Sequence, residues 1–201
     1  MASIDSLNIA GVILAAGASS RLGRAKQLLI YQGETLLDRT VGFFDELPLQ
    51  ERCLVYGARR SELKSVVDRQ SIRTTYNPDW ATGMGSSLQL GLRTVLTTNP
   101  DLQAVLIALV DQPLVTTEDF LGLITLHQGQ PQAIIAAAYE DTLGVPVIFP
   151  AAFFPELLAQ KGQVGAKKMI KKYKNEVISY SCPKAAFDID TEADYQGLLS
   201  R

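Results

Sequence analysis

Histidine is almost missing from this chain: one of 201 residues, His127, carries an imidazole. It ends a helical pattern, where the negative end of the helix dipole suits it. Cysteine is nearly as scarce. Cys53 and Cys182 lie far apart and match no metal-binding spacing, so a zinc site has no ligand set. Cys53 sits in an apolar run and reads as a buried thiol. No Gly-x-Ser-x-Gly elbow is present, and a Ser–His–Asp triad would have to recruit His127. There is no twenty-residue apolar run, hence no membrane span. The net charge of -2 gives no field for general nucleic-acid or membrane-surface binding, so any anion site is a local cluster of charge. Residues 1–5 lack the basic start and apolar stretch of a signal peptide. A cytoplasmic chain without disulfides is the expectation.

What the chain does have is apolar patterning. Hydrophobic residues make up 47% of it, enough for one sizeable core. Strand-like runs at 9–14, 52–56, 72–76 and 104–110 alternate with helical patterns at 35–47, 61–69, 86–96 and 117–126. The last of these helices has Thr116 or Thr117 as its cap. The run 104–110 is the most apolar and is expected at the centre. This succession predicts a three-layer α/β fold: an open, mostly parallel sheet with helices on both faces. Strands at 133–139 and 145–149, joined by a hairpin turn or loop at 140–144, suggest an antiparallel insertion. Short helices at 151–159 and 164–173, a strand at 177–181 and a helix at 192–199 complete the chain. No linker or repeat interrupts it, so one domain over 1–201 is the simplest account.

In an open sheet of this kind, ligands sit beyond the carboxyl ends of the strands. Three informative segments fall there. The first is Ala15-Ala16-Gly17-Ala18-Ser19-Ser20-Arg21-Leu22-Gly23-Arg24-Ala25-Lys26, a small-residue loop with three cations. Such a loop leaves backbone N–H groups bare to face an anion, and a triphosphate carries about four negative charges. It is not a Walker A loop, since Gln27 follows Lys26, and Gly11, Gly17 and Gly23 are too widely spaced for a dinucleotide fingerprint. The plainer reading is a glycine-rich turn with a solvated basic flank.

The second segment is Asp111-Gln112-Pro113. A lone carboxylate where a core strand meets solvent suits a magnesium ion shared with phosphate oxygens. It equally suits a turn residue or a helix cap. The third runs from Asn77 to Ser87. Gly83 and Gly85 permit close approach of a ligand, and Ser86 and Ser87 offer hydroxyls to a base or ribose, or else Ser86 or Thr82 caps a helix. Trp80 packs this loop or lies against a ligand. Near the end, Asp188, Asp190, Glu192 and Asp194 precede the last helix. Asp190 is the natural cap, and Asp188 and Asp190 point the same way if the piece is extended.

Together these stretches resemble the nucleotidyltransferases of the molybdenum-cofactor group, the MobA-like family, and most of all its cytidylyltransferases. The resemblance rests on Leu14-Ala15-Ala16-Gly17 with Arg21, Gly23 and Lys26; on Gln27-Leu28-Leu29 and Gly33-Glu34-Thr35-Leu36-Leu37; on Asn77-Pro78-Asp79-Trp80 with Gly83-Met84 and Ser87-Leu88; and on Asp111-Gln112-Pro113. Gly144 with Pro146-Val147, Gly162 with Gly165-Ala166, and Asp188 with Asp190-Thr191 complete it. It implies a nucleoside-diphospho-sugar transferase-like, Rossmann-like fold. It also implies transfer of CMP from CTP to a molybdopterin-type phosphate, with pyrophosphate released and Mg2+ as cofactor. Leu14, Ala15, Ala16 and Gly17, with Arg21 and Lys26, would hold the nucleotide phosphates. Gly83 and Ser87 would face the base or ribose, and Asp111 and Asp190 would carry the metal. The reacting centre would be Arg21, Lys26 and Asp111, and a molybdoenzyme is the implied client.

Two positions depart from the family pattern: Val145 stands where many relatives have His, and Gln163 where many have Asp. Both fall in the last third, which would shape the acceptor side. Within the same group GTP is the rival nucleotide, although guanylyl members often read Leu-Ala-Gly-Gly at residues 14–17. A nucleotidyltransferase acting on a sugar phosphate or another alcohol phosphate is a further rival. So is a non-catalytic maturation factor that keeps only the fold.

Overall fold

The computed structural model describes residues 8–159 and 165–201. Its centre is β1 (Ile9–Ala15), buried along its whole length. It pairs in parallel with β4 (Glu51–Tyr56) on one side and with β6 (Ala104–Leu109) on the other. The short strands β2 (Ile30–Tyr31) and β3 (Glu34–Thr35) form a separate small hairpin. β5 (Arg73–Tyr76) adds to β4 at the edge. Beyond β6 come β8 (Thr142–Pro150), β7 (Ile134–Tyr139) and β9 (Val177–Ser181), so the seven-stranded order is β5-β4-β1-β6-β8-β7-β9. Within this sheet β8 alone runs against its neighbours. The expected central place of the 104–110 run is met: β6 is the fourth of seven strands.

Strand residues alternate between two apolar layers. Ile13, Leu54 and Leu106 pack with α1 (Leu36–Glu46), α2 (Arg60–Val67), α4 (Thr117–Gly129) and α7 (Glu192–Leu199), through Leu37, Phe44, Leu63, Leu123 and Leu198. Val12, Val55 and Ile107 pack on the opposite face with α3 (Met84–Thr98), α5 (Phe154–Ala159) and α6 (Ala166–Lys172), through Leu88, Leu92, Leu157 and Met169. A parallel sheet covered on both faces needs strands apolar on both sides, which is why β1 and β6 read as continuous apolar runs. Gly91 of α3 lets the helix lie directly on Val12: a Cβ there would come within 2.4 Å of Val12 Cγ1.

Several boundaries differ from the sequence expectation. The loop expected at 140–144 shrinks to a turn at Glu140 and Asp141, and Gly144 and Val145 lie inside β8. Glu140 takes the turn with φ 50°. The helix expected over 151–159 is a 3-10 turn at Ala151–Phe153 followed by α5. The helix expected over 164–173 begins at Ala166, and Gly162, Gln163 and Val164 lie outside the described residues. α3 starts at Met84 rather than Ser86, with Gly83 as its cap, so neither Thr82 nor Ser86 caps it through a side chain.

The last helix is capped by Thr191, not Asp190. Thr191 and Asp194 form a reciprocal capping box. Asp190 is drawn away by the cations of the β1 loop. Thr116 caps α4 through the same arrangement with Asp119. Among the described residues, no helix is long and apolar enough to cross a membrane.

Candidate active site

The chain lays down β1, β4 and β5 in one direction and then returns to place β6 on the other side of β1. The strand order therefore reverses between β1 and β6, and a crevice opens beyond their carboxyl ends. The small-residue loop leaves β1 there, and Asp111 follows β6.

The loop is held by its carbonyls. Gln27, buried to 1% exposure, donates from Nε2 to Ala15 O at 2.6 Å. The Arg59 guanidinium donates to Ala18 O and Gly23 O at 3.1 and 2.8 Å. Ala58 N–H donates to Ala16 O. Gly23, at φ 77°, turns the chain so that its own N–H reaches Ser19 O. With these carbonyls tied to the scaffold, the loop lines the crevice with Gly17, Arg21 and Lys26.

Those cations meet carboxylates. Lys26 is 7% exposed, and its ammonium donates to Asp111 Oδ2 at 2.7 Å, to Ile189 O at 2.9 Å and to Asp190 Oδ1 at 3.0 Å. Burial works against the charge, but the Asp111 carboxylate, then Asp190, outweigh it and lift the Lys26 pKa above its ordinary 10.5. Arg21 pairs with Asp190, and Arg24 with Glu192. Ile189 is fully buried, and its N–H donates to Asp111 O at 3.0 Å. That anchor leaves Asp188 and Asp190, on either side of it, facing the crevice together, as their two-residue spacing suggests. Asp188 keeps contact with solvent at the crevice wall, but protein crowds it on the other sides. This partial desolvation, then the nearby Asp111 charge, push its pKa up from 3.8 to about 6.

The crevice has two connected parts. The smaller, about 290 Å³, lies among Leu14, Ala15, Ala16, Gly83, Ser87 and Trp80. The larger, about 490 Å³, is lined by Arg21, Asp188, Asp190, Tyr139, Val145 and Lys167. Gly17, Lys26, Met84, Leu109 and Asp111 border both. Leu14, Ala15, Ala16, Gly17, Arg21, Lys26, Gly83, Ser87, Asp111 and Asp190 thus come to one crevice, whereas Arg24, Gly85 and Ser86, also candidates from the sequence, line neither cavity. Trp80 lines the smaller cavity, and its Cβ packs over Gly57. His127 takes no part. It is buried at the end of α4, burial lowers its pKa, and so it is held neutral rather than charged against the helix dipole.

Sequence reasoning missed the residues that hold the site in shape. Asn77 is buried and donates from Nδ2 to Ser86 Oγ and Ser87 Oγ at 2.9 and 2.8 Å, while its Oδ1 accepts from Asp79 N–H. Gln112 is buried and donates to Val145 O and Ala185 O at 3.0 and 2.8 Å, which ties the end of β6 to β8. A polar residue set inside a motif of the family pattern is the available signal for Gln27, Asn77 and Gln112; nothing in the sequence marks Arg59.

Among the described residues no group of three or more His, Cys, Asp or Glu side chains is arranged to hold a metal ion. The available donors are the hard oxygens of Asp111 and Asp190. Asp111 Oδ1 is buried and has no hydrogen-bond partner among the described residues. One or two carboxylates with an open oxygen fit a magnesium-like ion that completes its shell with phosphate and water, and do not fit a site closed by protein alone.

A model of the MobA-like NTP transferase domain matches residues 11–177. The chain belongs to this family. It is a nucleotidyltransferase, and the mostly parallel sheet agrees with the solved folds that resemble it. It is 31% identical over 202 residues to nicotine blue oxidoreductase of Paenarthrobacter nicotinovorans, covering 95% of this chain and 96% of that one. It is 24% identical to the molybdenum cofactor cytidylyltransferase of Escherichia coli K12, covering 92% of each. The crystal structure of Rv0371c from Mycobacterium tuberculosis H37Rv superposes with a TM-score of 0.80 at 28% identity, covering 96% of this chain and 99% of that one. A second structure of that protein is a complex with manganese, with a TM-score of 0.79 at 27% identity over 96% and 98% of the two chains.

Proposed function

We propose that the chain, acting as one unit, transfers CMP from CTP to the phosphate of a molybdopterin-type acceptor and releases pyrophosphate. The observation that carries this reading is the placement of Lys26, Asp111 and Asp190 where the two cavities meet. The smaller cavity takes the nucleoside, with Ala15, Ala16 and Gly17 along the phosphates and Gly83 and Ser87 toward the base and ribose. The larger takes the acceptor.

An oxygen of the acceptor phosphate attacks the α-phosphorus in line, and the bond to the bridging oxygen breaks. Pyrophosphate leaves with that electron pair. The reaction asks the protein to align two phosphates and to stabilise charge on the leaving oxygens, not to supply a nucleophile. Arg21 and Lys26 would carry that charge. Asp111 and Asp190 would hold a divalent cation, magnesium or manganese, which when bound neutralises phosphate charge and orients the oxygens. The manganese complex of the similar Rv0371c supports a metal here, and the Escherichia coli relative supports the cytidylyl acceptor chemistry. A cytoplasmic setting and a molybdoenzyme client go with this reading.

Asp111→Asn tests it. Asn keeps the shape and removes the charge that a cation needs, so pyrophosphate release should fall to near background while the melting temperature stays close to that of the parent. Normal release by the folded variant would remove Asp111 from the reaction. The name of the Paenarthrobacter relative calls for one added arm: a redox change of nicotine blue by the purified chain, in place of pyrophosphate release, would replace the transferase reading with a redox one.

A further inference from the structure

The chain keeps most of its sulfur out of reach. Cys53 and Cys182 are fully buried, and burial pushes each thiol above its ordinary pKa, so neither offers a thiolate to an oxidant. Met169 is 2% exposed, inside the apolar layer between α6 and the sheet. Met84 is 45% exposed. Among the described residues it is the one sulfur open to solvent.

That sulfur stands at the junction of the crevice. Met84 opens α3, directly after Gly83, and borders the smaller and the larger cavity alike. Its side chain lies against Gly165: a Cβ on Gly165 would come within 3.3 Å of Met84 Sδ. Gly165 directly precedes α6 and lines the larger cavity. The thioether therefore sits between the starts of two helices, with backbone on one side and the crevice on the other.

Oxidation at this place has a defined chemistry. A sulfur lone pair attacks one oxygen of hydrogen peroxide, the S–O bond forms, the O–O bond breaks, and the other oxygen leaves as water. The sulfur is oxidised and the peroxide reduced by the same electron pair. A flexible apolar side chain becomes a polar, chiral sulfoxide, which methionine sulfoxide reductases return to the thioether. The new oxygen carries partial negative charge. Turned toward Gly165, it has no room and must push the backbone ahead of α6. Turned away, it enters the crevice where the phosphates of nucleotide and acceptor are to meet. Either position works against transfer.

We propose that Met84 is a modification site: peroxide converts it to the sulfoxide ahead of every other described sulfur, and the sulfoxide impairs nucleotide binding and transfer in the crevice. The site itself follows from exposure and position, and its consequence rests on the transferase reading.

The test is graded treatment of the folded chain with hydrogen peroxide, followed by peptide mass spectrometry. Met84 should gain one oxygen while Met169, Cys53 and Cys182 stay unmodified. The oxidised protein should lose most of its pyrophosphate release and bind a CTP analogue more weakly, with its melting temperature close to that of the untreated protein. The two methionine sulfoxide reductases, one for each sulfoxide epimer, should restore both properties. Met84→Leu, measured against its own untreated value, should keep its rate and affinity through the same treatment. Oxidation of Met169 or of a cysteine ahead of Met84 overturns the site. Unchanged rate and affinity in protein oxidised at Met84, or equal loss in treated Met84→Leu, overturns the consequence. If the untreated chain releases no pyrophosphate, the transferase reading fails separately, and the peptide map and the affinity for the nucleotide analogue decide the proposal alone.

Discussion

Lys26 reaches across 85 residues of sequence to place its ammonium 2.7 Å from Asp111 Oδ2, and this contact joins the loop after β1 to the end of β6. The pair does two jobs in the proposed reaction. It holds the crevice in shape, and it puts a cation where pyrophosphate would leave.

Lys26→Ala should therefore cost more than affinity. A donor aimed at developing charge typically contributes about 3 kcal/mol to the barrier, so turnover should fall on the order of a hundredfold or more. Nucleotide affinity should fall as well, because the loop loses its innermost cation. Single-turnover rates at saturating nucleotide separate the two effects. A variant with weaker binding but an unchanged rate would limit Lys26 to ground-state binding.

Asp188→Asn gives a pH signature. The folded carboxyl has a pKa of about 6 against 3.8 for the free group, so folding favours its protonated form. Between those values the folded state binds more protons than the unfolded chain. Stability from this group is present below pH 4, is lost as pH rises toward 6, and stays lost above it. Replacing the carboxylate with a neutral amide should thus stabilise the protein at pH 7.5 and leave it unchanged at pH 4. Asp188 keeps contact with solvent, and screening reduces the gain to roughly 1 kcal/mol, or about 2–4 °C in melting temperature for a chain of this size. Equal melting of both proteins at pH 7.5 would show that Asp188 is not held under electrostatic stress.

Gly91→Ala should destabilise the fold without touching the crevice. The new methyl meets Val12 Cγ1 at 2.4 Å and Val55 Cγ2 at 3.0 Å, both in central strands that cannot yield. Overpacking of this kind costs typically about 1–3 kcal/mol, well beyond the gain in helix propensity from replacing glycine. Urea denaturation at equilibrium measures it, and a midpoint equal to that of the parent would mean that α3 slides at little cost.

How far the sequence could be read follows from where each residue gets its partner. Gly17 and Asp111 stand directly after apolar runs, so their position beyond strand ends is visible in local pattern. The antiparallel strand is visible too, because β7 and β8 are separate apolar runs close in sequence. The turn at Glu140 and Asp141 reads too long, since Thr142 and Gly144 flank Leu143 and break the apolar run of the strand they begin. The capping error has a specific cause. Asp190 looks like a cap locally, but Arg21 and Lys26, more than 160 residues away in sequence, recruit its carboxylate. Thr191 with Asp194 has the spacing that a capping box requires. Gln27, Asn77 and Gln112 are marked only by their place inside family motifs, and Arg59 by nothing, because each acts through carbonyls or hydroxyls that the fold brings near. The departure at Gln163 falls outside the described residues, and the fold adds nothing to it.

CTP should be used in preference to GTP. Ala15 and Ala16 line the smaller cavity, and the loop that carries them cannot retreat freely. Gln27 holds Ala15 O, and Ala58 N–H holds Ala16 O. Behind Ala16 stands Gly57, so close that a Cβ on Gly57 would touch Ala16 Cβ at 3.0 Å. Trp80, fixed over the same glycine, also lines the cavity. A cavity of about 290 Å³ with these groups pinned is poorly suited to open for the larger purine. Polar groups set to pair with cytosine would also be left unpaired by guanine, a mismatch that in sites built on hydrogen bonds is worth several kcal/mol. Competition between CTP and GTP for magnesium-dependent transfer to a molybdopterin acceptor measures the preference directly, and should favour CTP by at least about a hundredfold. Gly57→Ala provides the internal control. Crowding Ala16 and Trp80 from behind should reduce CTP use while leaving the carboxylates and Lys26 in place. Equal use of the two nucleotides by the parent protein would remove the cytidylyl assignment and leave the general nucleotidyl transfer standing.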